Sequence, residues 1–279
     1  MLPLSSYEDI VQLALSEDIG AGDITSESII PEGQMATADM IAKDDGVISG
    51  LDVAATVFGA VDAGLDITFH AQDGDRVKKG AMLLSVSGSA RSILVAERTA
   101  LNFVQQLSGV ATQTARLAGL IAGTKAKLCD TRKTVPGMRI LQKYAVTCGG
   151  GVNHRMGLYD AVLIKDNHIA VAGGIKPALT AVADRAEKIE IEVDTLDQLR
   201  EALEAGAKYI LLDNMSPDTM REAVAITNGR AVLEASGGIT DETIRAVAES
   251  GVDLISTGWI THSPPALDIG LDIRLQSPR

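Results

Sequence analysis

The stretch from Lys188 to Asn214 reads KIEIEVDTLDQLREALEAGAKYILLDN. A short β-rich run stands at each end, KIEIEVD and KYILLDN, and both runs finish in polar residues. The segment between them, TLDQLREALEAG, is amphipathic, with apolar residues at helical spacing. A strand, a helix and a second strand in this order predict a unit with two parallel strands.

The same alternation repeats along the chain from Lys125 onward. Six β-rich runs alternate with helical segments, and they are KAKLCD, YDAVLIKD, KIEIEVD, KYILLDN, RAVLEASGG and VDLISTG. Six such units favour a barrel over an open sheet. The tract over residues 110–266 is shorter than the roughly 200 residues of a full eightfold barrel. We therefore predict an α/β protein in which residues 110–266 form an irregular, incomplete (β/α) barrel.

The first third of the chain begins and ends with helical patterns. The segment SSYEDIVQLALSEDI predicts a helix with Ser5 or Ser6 as its N-cap. A long helical stretch is expected from about Ile93 to Ala122, and Gly109 is expected to break or close its first helix.

Strand patterns lie between those helices. The run MATADMIAKDDGVISG predicts a strand, and LDITFHAQDGDRVKKGAMLLSVSGSA predicts a hairpin with Gly74 and Gly80 at its turns. Together with the helices they predict a separate small domain over residues 1–109.

The composition restricts the classes of partner. The chain has 279 residues, is 46% hydrophobic and carries a formal net charge of -12, which disfavours nucleic acid and anionic membranes as partners. The start, MLPLSSYEDI, lacks the features of a secretory signal, and no apolar run approaches the roughly 20 residues that cross a bilayer. Cys129 and Cys148 form no CxxC pair and are interpreted as small buried side chains. These observations predict a cytoplasmic protein.

Positive charge is concentrated in one segment. Residues 125–176 hold nine Lys/Arg and three Asp/Glu, a net of +6, so the rest of the chain has a net of -18. The sequences DTRK and NHR in this segment lie among turn residues rather than at helical spacing. We interpret them as part of a cationic site, with Gly149 to Gly151 turning the chain sharply into NHR.

The strand ends supply the candidate site, because barrel sites lie at the carboxyl ends of the strands. Those ends are Asp130–Lys133, Lys165, Glu192, Asp213, Glu234–Gly238 and Ser256–Gly258. Arginine binds carboxylate or phosphate with two parallel hydrogen bonds, and lysine adds a compact charge. The cations expected to converge on an anionic ligand are Arg132, Lys133, His154, Arg155 and Lys165.

Two loops of small residues follow late strands. Glycine in Ser236–Gly238 and Ser256–Gly258 would let backbone N–H groups approach a phosphate. Glu192 and Asp213 are expected to bind sugar hydroxyls or to help hold a magnesium–pyrophosphate complex. The spacing of His154 and His168 matches no zinc pattern, so no metal held by the protein alone is expected.

The residues by themselves leave alternatives open. Lys165 at a strand end would suit a Schiff-base lyase, provided that its amine is desolvated. A non-catalytic anion-binding protein would also explain the cations.

Several motifs resemble those of the quinolinate phosphoribosyltransferase family, and the resemblance covers nearly the whole chain. They are ERTALNFVQQLSGVAT, DTRKTVPGMR, KYAVTCGGGVNHRMGLYDAVLIKDNHI, LLDNM, EASGGI and THS. The family implies an N-terminal α/β sandwich domain over residues 1–109, joined by the tail 267–279, and a catalytic barrel over 110–266. It implies a cytoplasmic, decarboxylating enzyme of NAD biosynthesis.

The resemblance also implies roles for particular residues. Arg132, Lys133, His154, Arg155 and Lys165 would bind the two carboxylates of quinolinate and the pyrophosphate, and Glu192 and Asp213 would bind the ribose of phosphoribosyl pyrophosphate. The two small-residue loops would bind its 5-phosphate, and Thr131 is included among the substrate-binding residues. Lys133, Lys165, Glu192 and Asp213 are the candidate catalytic residues.

The family further implies a homodimer, or a multiple of dimers, in which Arg98 reaches the neighbouring subunit's site. Magnesium is expected to accompany phosphoribosyl pyrophosphate. A paralogue of the same fold that acts on another acid, such as the type found in molybdenum-transport operons, is the alternative within the family.

Overall fold

The computed structural model describes residues 2–275, and their packing divides them into two units. The first unit comprises residues 2–115, 135–150 and 263–275, and the second comprises 116–134 and 151–262. The sequence placed residues 110–115, 135–150 and 263–266 in the barrel domain, whereas by packing they fall in the first unit. Residues 276–279 of the predicted tail lie outside the described residues.

Secondary structure covers most of the described chain. The helices are α1 (Glu8–Ile19), α2 (Ile24–Ile29), α3 (Leu51–Val61), α4 (Ala90–Leu120), α5 (Arg139–Cys148), α6 (Asp166–Ala172), α7 (Ile175–Val182), α8 (Leu196–Glu204), α9 (Pro217–Thr227), α10 (Ile244–Glu249) and α11 (Trp259–His262). The strands are β1 (Met35–Ala42), β2 (Gly46–Val47), β3 (Asp66–Phe69), β4 (Arg76–Val77), β5 (Met82–Ser89), β6 (Lys127–Cys129), β7 (Val162–Ile164), β8 (Ile189–Val193), β9 (Tyr209–Asp213), β10 (Val232–Ser236), β11 (Leu254–Ser256) and β12 (Ile269–Leu275). Among these helices none combines the length and the apolar character needed to cross a membrane.

A four-stranded antiparallel sheet forms the centre of the first unit. Its strand order is β12-β1-β5-β3, and the predicted pairing of β3 with β5 is confirmed. Alternate side chains of β1, including Ala36, Ala38 and Met40, are fully buried. The short strand β4, which the sequence placed inside the hairpin, pairs instead with β2. The C-terminal strand β12 completes the sheet edge beside β1, as the predicted joining of the tail requires.

The start of α1 differs from the sequence prediction. The helix begins at Glu8 with Tyr7 as its N-cap residue, so the prediction of Ser5 or Ser6 as N-cap was wrong. The Ser6 hydroxyl donates to the carbonyl of Pro3 and stabilises a short 3-10 turn over Leu4–Ser6. The Ser6 hydroxyl is therefore engaged in this turn and does not cap α1.

The helix α4 runs through Gly109 without a break, so the predicted interruption there was wrong. Its buried residues recur every three or four positions, as at Ala100, Val104, Leu107 and Ala111. A Cβ atom on Gly109 would lie 2.2 Å from the carbonyl oxygen of Pro265. This glycine is therefore required by the close approach of another backbone and not by a helix end.

Six parallel strands form the sheet of the second unit, and all six predicted runs are strands. Their order is β6-β11-β10-β9-β8-β7. The first and last of these strands stand at the two ends of the sheet, and within residues 2–275 no ladder joins them. An isolated parallel bridge between Cys129 and Val152 adds one more pairing beside β6. The predicted irregular, incomplete α/β barrel is confirmed.

The register of this sheet places particular side chains in one row. Glu192 of β8 pairs with Leu211 of β9, which in turn pairs with Glu234 of β10. Two residues further along the same strands, and on the same face, Asp213 pairs with Ser236. Because strand side chains alternate between faces, residues in such rows point to the same side of the sheet.

The two glycines of α4 are expected to respond oppositely to substitution by alanine. Gly109→Ala forces a Cβ against the Pro265 backbone and is expected to lower the free energy of unfolding by about 1–3 kcal/mol. Gly119→Ala meets no atom within 4 Å and is expected to raise it by roughly 0.5–1 kcal/mol, since alanine favours the helix. Urea unfolding of both variants measures the two changes, and equal effects would contradict the close-approach explanation.

Candidate active site

A cavity of about 610 Å³ lies at the carboxyl ends of the parallel strands of the second unit. Twelve of the predicted site residues line it: Thr131, Arg132, Lys133, His154, Arg155, Lys165, Glu192, Asp213, Ser236, Gly237, Gly238 and Ser256. Glu234, which the sequence named at a strand end without giving it a role, also lines the cavity, together with Leu163, Leu211 and Asn214. The strand-end argument thus located the cavity, because parallel strands bring their carboxyl ends to one edge.

Lys165 and Glu192 form an ion pair in this cavity. Lys165 Nζ lies 2.6 Å from Glu192 Oε2, and about half of the lysine side chain is exposed. The backbone N–H of Lys165 donates to His168 Nδ1 at 2.9 Å, which fixes the start of α6. The amine is neither desolvated nor without a partner, so the condition for a Schiff-base lysine is not met.

Two arginines present donors without acceptors. Within the described residues, the Nε atoms of Arg132 and Arg155 are buried and have no hydrogen-bond partner. Arg155 also donates from Nη1 to the carbonyl of Ala161 at 3.0 Å. Burial, and then the charge of Arg132, lower the pKa of Arg155. Buried donors of this kind need an acceptor, and a carboxylate or phosphate supplies one.

Both ring nitrogens of His154 are engaged. Nδ1 accepts the backbone N–H of Arg155 at 2.8 Å, so the proton of the neutral ring is on Nε2. Nε2 faces Glu190 Oε2 at 2.9 Å and Glu234 Oε2 at 3.6 Å. The backbone N–H of His154 donates to Asp130 Oδ1 at 2.8 Å. His154 therefore fixes the backbone at Arg155, and its predicted role as an anion ligand stays a prediction.

Glu190 on β8 and Glu234 on β10 are buried carboxyl groups, and their strands are separated by β9. Burial, and then the charge of Glu190, raise the pKa of Glu234 to about 7. Burial acts in the same direction on Glu190, but the hydrogen bond from His154 and the charge of Lys188 outweigh it and hold the pKa of Glu190 below its usual value. At this separation each carboxylate disfavours ionisation of the other, so Glu234 ionises only as the pH rises through about 7.

The same three residues have the composition of a metal site. The ligand atoms of His154, Glu190 and Glu234 lie within 4.8 Å of one another. A metal would need the lone pair of Nε2 and a proton on Nδ1, yet the N–H of Arg155 points at Nδ1. In this arrangement Nε2 carries a proton and donates it toward the two carboxylates, so it has no lone pair to offer a metal.

The two small-residue loops differ in their relation to the cavity. Ser236, Gly237 and Gly238 line it, and both glycines have left-handed backbone conformations, with φ of 87° and 61°. In the second loop only Ser256 lines it. The N–H of Thr257 donates to the carbonyl of Cys129 and extends the sheet.

Gly258 has a packing role beside the cavity. A Cβ atom there would lie 2.6 Å from Lys133 Cδ, so the stem of the lysine lies over this glycine. The carbonyl of Lys133 accepts the Thr261 hydroxyl at 2.7 Å. These contacts hold Lys133 at the cavity wall.

Arg98 belongs to the first unit. It lies on α4, and its side chain is exposed. It is not among the residues that line the cavity.

Sequence signals for the unassigned residues existed in part. Glu190 alternates with Glu192 in KIEIEVD, and Glu234 alternates with Ser236 in VLEAS, so period-2 spacing places each pair on one face. The contact between Glu190, Glu234 and His154 depends on three separate elements and has no such signal.

Two family models match the chain. The model described as quinolinate phosphoribosyl transferase, C-terminal domain, matches residues 110–272, and the corresponding N-terminal domain model matches residues 23–108. A Bacillus subtilis protein named probable nicotinate-nucleotide pyrophosphorylase (carboxylating) is 44% identical over 94% of this chain and 91% of its own length. A Nicotiana glauca protein named quinolinate phosphoribosyltransferase (decarboxylating) 2, mitochondrial, is 42% identical over 97% of this chain and 83% of its own.

A solved structure agrees with these matches. The nicotinate-nucleotide pyrophosphorylase from Francisella tularensis superposes with a TM-score of 0.94 at 44% identity and covers 98% of both chains.

Replacing Glu234 is expected to change how stability depends on pH. Because the pKa of Glu234 is raised on folding, its contribution to stability is fully present below about pH 4.5 and is lost as the pH rises through about 7. Glu234→Gln lacks this titration. Its free energy of unfolding relative to the parent protein should therefore rise by on the order of 2 kcal/mol between pH 5 and pH 8.

Urea unfolding at pH 5, 6, 7 and 8 measures this difference, with the exposed Glu204→Gln on α8 as the surface control. A difference for Glu234→Gln that stays constant over this range would show that its carboxyl group does not titrate there.

Proposed function

The chain belongs to the quinolinate phosphoribosyltransferase family, and we propose that the cavity described above is where it performs that family's reaction. The enzyme is a pentosyltransferase that transfers the phosphoribosyl group of phosphoribosyl pyrophosphate to quinolinate. The products are nicotinate mononucleotide, pyrophosphate and carbon dioxide, and the reaction serves NAD biosynthesis.

The observation that carries the site assignment is the pair of buried, unpartnered Nε atoms on Arg132 and Arg155. Quinolinate has two carboxylates on adjacent ring carbons, so it offers charged acceptors for two guanidinium groups at once. Each charge-assisted hydrogen bond contributes roughly 1.5–3 kcal/mol. The apolar side chains of Leu163 and Leu211 line the same cavity and would face the ring.

Phosphoribosyl pyrophosphate would occupy the other side of the site. Asp213 and Glu192 would accept hydrogen bonds from the ribose hydroxyls, and Lys133 and Lys165 would face the pyrophosphate. The loops Ser236–Gly238 and Ser256–Gly258 would bind the 5-phosphate, with backbone N–H donors from the first loop and the Ser256 side chain from the second. Gly238 supports this arrangement, since no atom lies within 4 Å of the position of a Cβ there and the backbone is left uncovered.

The chemistry then follows in two stages. The pyridine nitrogen attacks the anomeric carbon as pyrophosphate leaves, and the cations stabilise the departing charge. The carboxylate next to the nitrogen then leaves as carbon dioxide. Its bonding electrons stay on the ring carbon beside the positive nitrogen, and that carbon takes up a proton. Positioning of the two substrates supplies much of the remaining acceleration.

Magnesium would enter with phosphoribosyl pyrophosphate. Carboxylate oxygens are the ligands that this ion prefers, and Asp213 and Glu192 offer them at the cavity wall. The ion would supply charge neutralisation for the pyrophosphate.

The active form would be a homodimer, or a multiple of dimers, in the cytoplasm. The exposed position of Arg98 on α4 leaves its guanidinium able to reach a second subunit.

No separate observation favours the alternative functions, which are a paralogue acting on another acid, a Schiff-base lyase and a non-catalytic anion-binding protein. The relatives are named for quinolinate or for nicotinate nucleotide, and Lys165 is paired with Glu192.

The direct test incubates the protein with quinolinate, phosphoribosyl pyrophosphate and magnesium. Nicotinate mononucleotide and carbon dioxide should form in equal amounts. Arg155→Ala should lower kcat/KM for quinolinate by about 10- to 100-fold through the lost charge-assisted bond. The exposed Arg221→Ala on α9 is the matched control.

Nicotinate offered in place of quinolinate should be a poor substrate, because it has one carboxylate for two arginines. A folded preparation that makes no nicotinate mononucleotide from quinolinate would overturn the assignment.

The proposed sharing of Arg98 has a test of its own. Arg98→Ala and Arg132→Ala should each be nearly inactive, and mixing them should restore activity in hybrid dimers. Random exchange makes half of the dimers hybrid, and one of the two sites in each hybrid is intact, so about a quarter of the parent activity is expected. Differently tagged subunits establish that exchange has occurred. Exchange without recovery would contradict a shared site.

A further inference from the structure

Asn214 has an unusual backbone conformation at the edge of the cavity. Its φ is 54°, and among the described residues the one other non-glycine residue with positive φ is Asn228, at 45°. Asn228 ends α9, where left-handed residues are common. Asn214 instead follows β9, and two residues separate it from the start of α9. No helix end therefore explains its positive φ. Such a conformation persists only where surrounding contacts require it.

Three contacts hold Asn214 in place. Its side-chain Nδ2 donates to Asp213 Oδ2 at 2.7 Å, and its backbone N–H donates to the carbonyl of Ser236 at 2.9 Å. Its Oδ1 lies against the α carbon of Gly237, where a Cβ atom would be 2.1 Å away. The amide therefore joins the carboxylate at the end of β9 to the loop that follows β10.

We propose that Asn214 is a positioning residue, which orients the Asp213 carboxylate toward the sugar of phosphoribosyl pyrophosphate and sets the place of the glycine loop beside it. A carboxylate at a partly exposed strand end turns easily about its last torsion. The amide of Asn214 engages Oδ2, and Oδ1 is then the oxygen presented to the sugar. This inference rests on the proposed function of the cavity.

The left-handed backbone is what makes this arrangement possible. An asparagine in extended conformation at this position would direct its side chain along the strand alternation, away from its neighbour's carboxylate. Asparagine also tolerates the left-handed region better than most residues, and its amide offers a donor and an acceptor at once. The donor is used toward Asp213, and the oxygen of the amide packs against Gly237.

The test separates side chain from backbone. Asn214→Gly keeps the left-handed backbone and removes the amide, and Asn214→Asp keeps the shape but replaces the donor by a like charge. Both should raise KM for phosphoribosyl pyrophosphate by about 10- to 100-fold, the aspartate more than the glycine. The dissociation constant of quinolinate, measured at equilibrium, should change less than twofold.

Asn228→Gly is the matched control, since it makes the same change at the other left-handed asparagine. It should leave both constants unchanged. Thermal unfolding of all three variants shows whether each remains folded.

Two outcomes would overturn the inference: an unchanged KM for phosphoribosyl pyrophosphate in both Asn214 variants, or equal losses for both substrates. The activity of the parent protein distinguishes this result from a failure of the proposed function. If the parent makes nicotinate mononucleotide while both Asn214 variants match it, only the role of Asn214 is lost.

Discussion

Two guanidinium groups of like charge are held near each other at one edge of the sheet. The charge of Arg132 contributes, after burial, to the lowered pKa of Arg155, so the two guanidinium groups repel each other. Their Nε atoms are buried without acceptors in the described structure. Such unsatisfied donors are costly by themselves and become favourable when a charged acceptor enters.

The carboxyl groups around the cavity divide into two sets with different tasks. Glu192 and Asp213 lie at strand ends, where they can meet a ligand, and Glu192 already holds the ammonium of Lys165. Glu190 and Glu234 lie deeper and face His154. Because the deeper pair is buried and close together, Glu234 stays protonated below about pH 7, and the pair then carries one negative charge instead of two. The loop that carries Arg155 is fixed by His154, whose Nδ1 accepts the backbone N–H of Arg155.

Three glycines are required by close contacts with distant parts of the chain. Gly237 has no side chain because the amide of Asn214 occupies that space, and Gly258 has none because the stem of Lys133 lies over it. Gly109 likewise admits the backbone at Pro265 in the first unit. These glycines follow from neighbours distant in sequence. For this reason the helix-breaking role predicted for Gly109 was wrong, although the pattern around it was read correctly as a helix.

The sequence by itself determined the six parallel strands, their alternation with helices and the edge at which the polar residues meet. These features depend on local periodicity, and strand ends converge by geometry alone. It also indicated an anionic ligand, because Arg132, Lys133 and Arg155 stand among turn residues and Lys165 stands at a strand end. The resemblance in motifs, and not the charge pattern, named quinolinate.

Only the tertiary structure decided that His154 faces Glu190 and Glu234, that Lys165 is paired with Glu192, and that Asn214 turns back onto Asp213. The pairings of His154 and Lys165 join residues far apart in the chain, and the turn at Asn214 is held by a contact to a distant loop. Their geometry is fixed by packing and register, which no local pattern records.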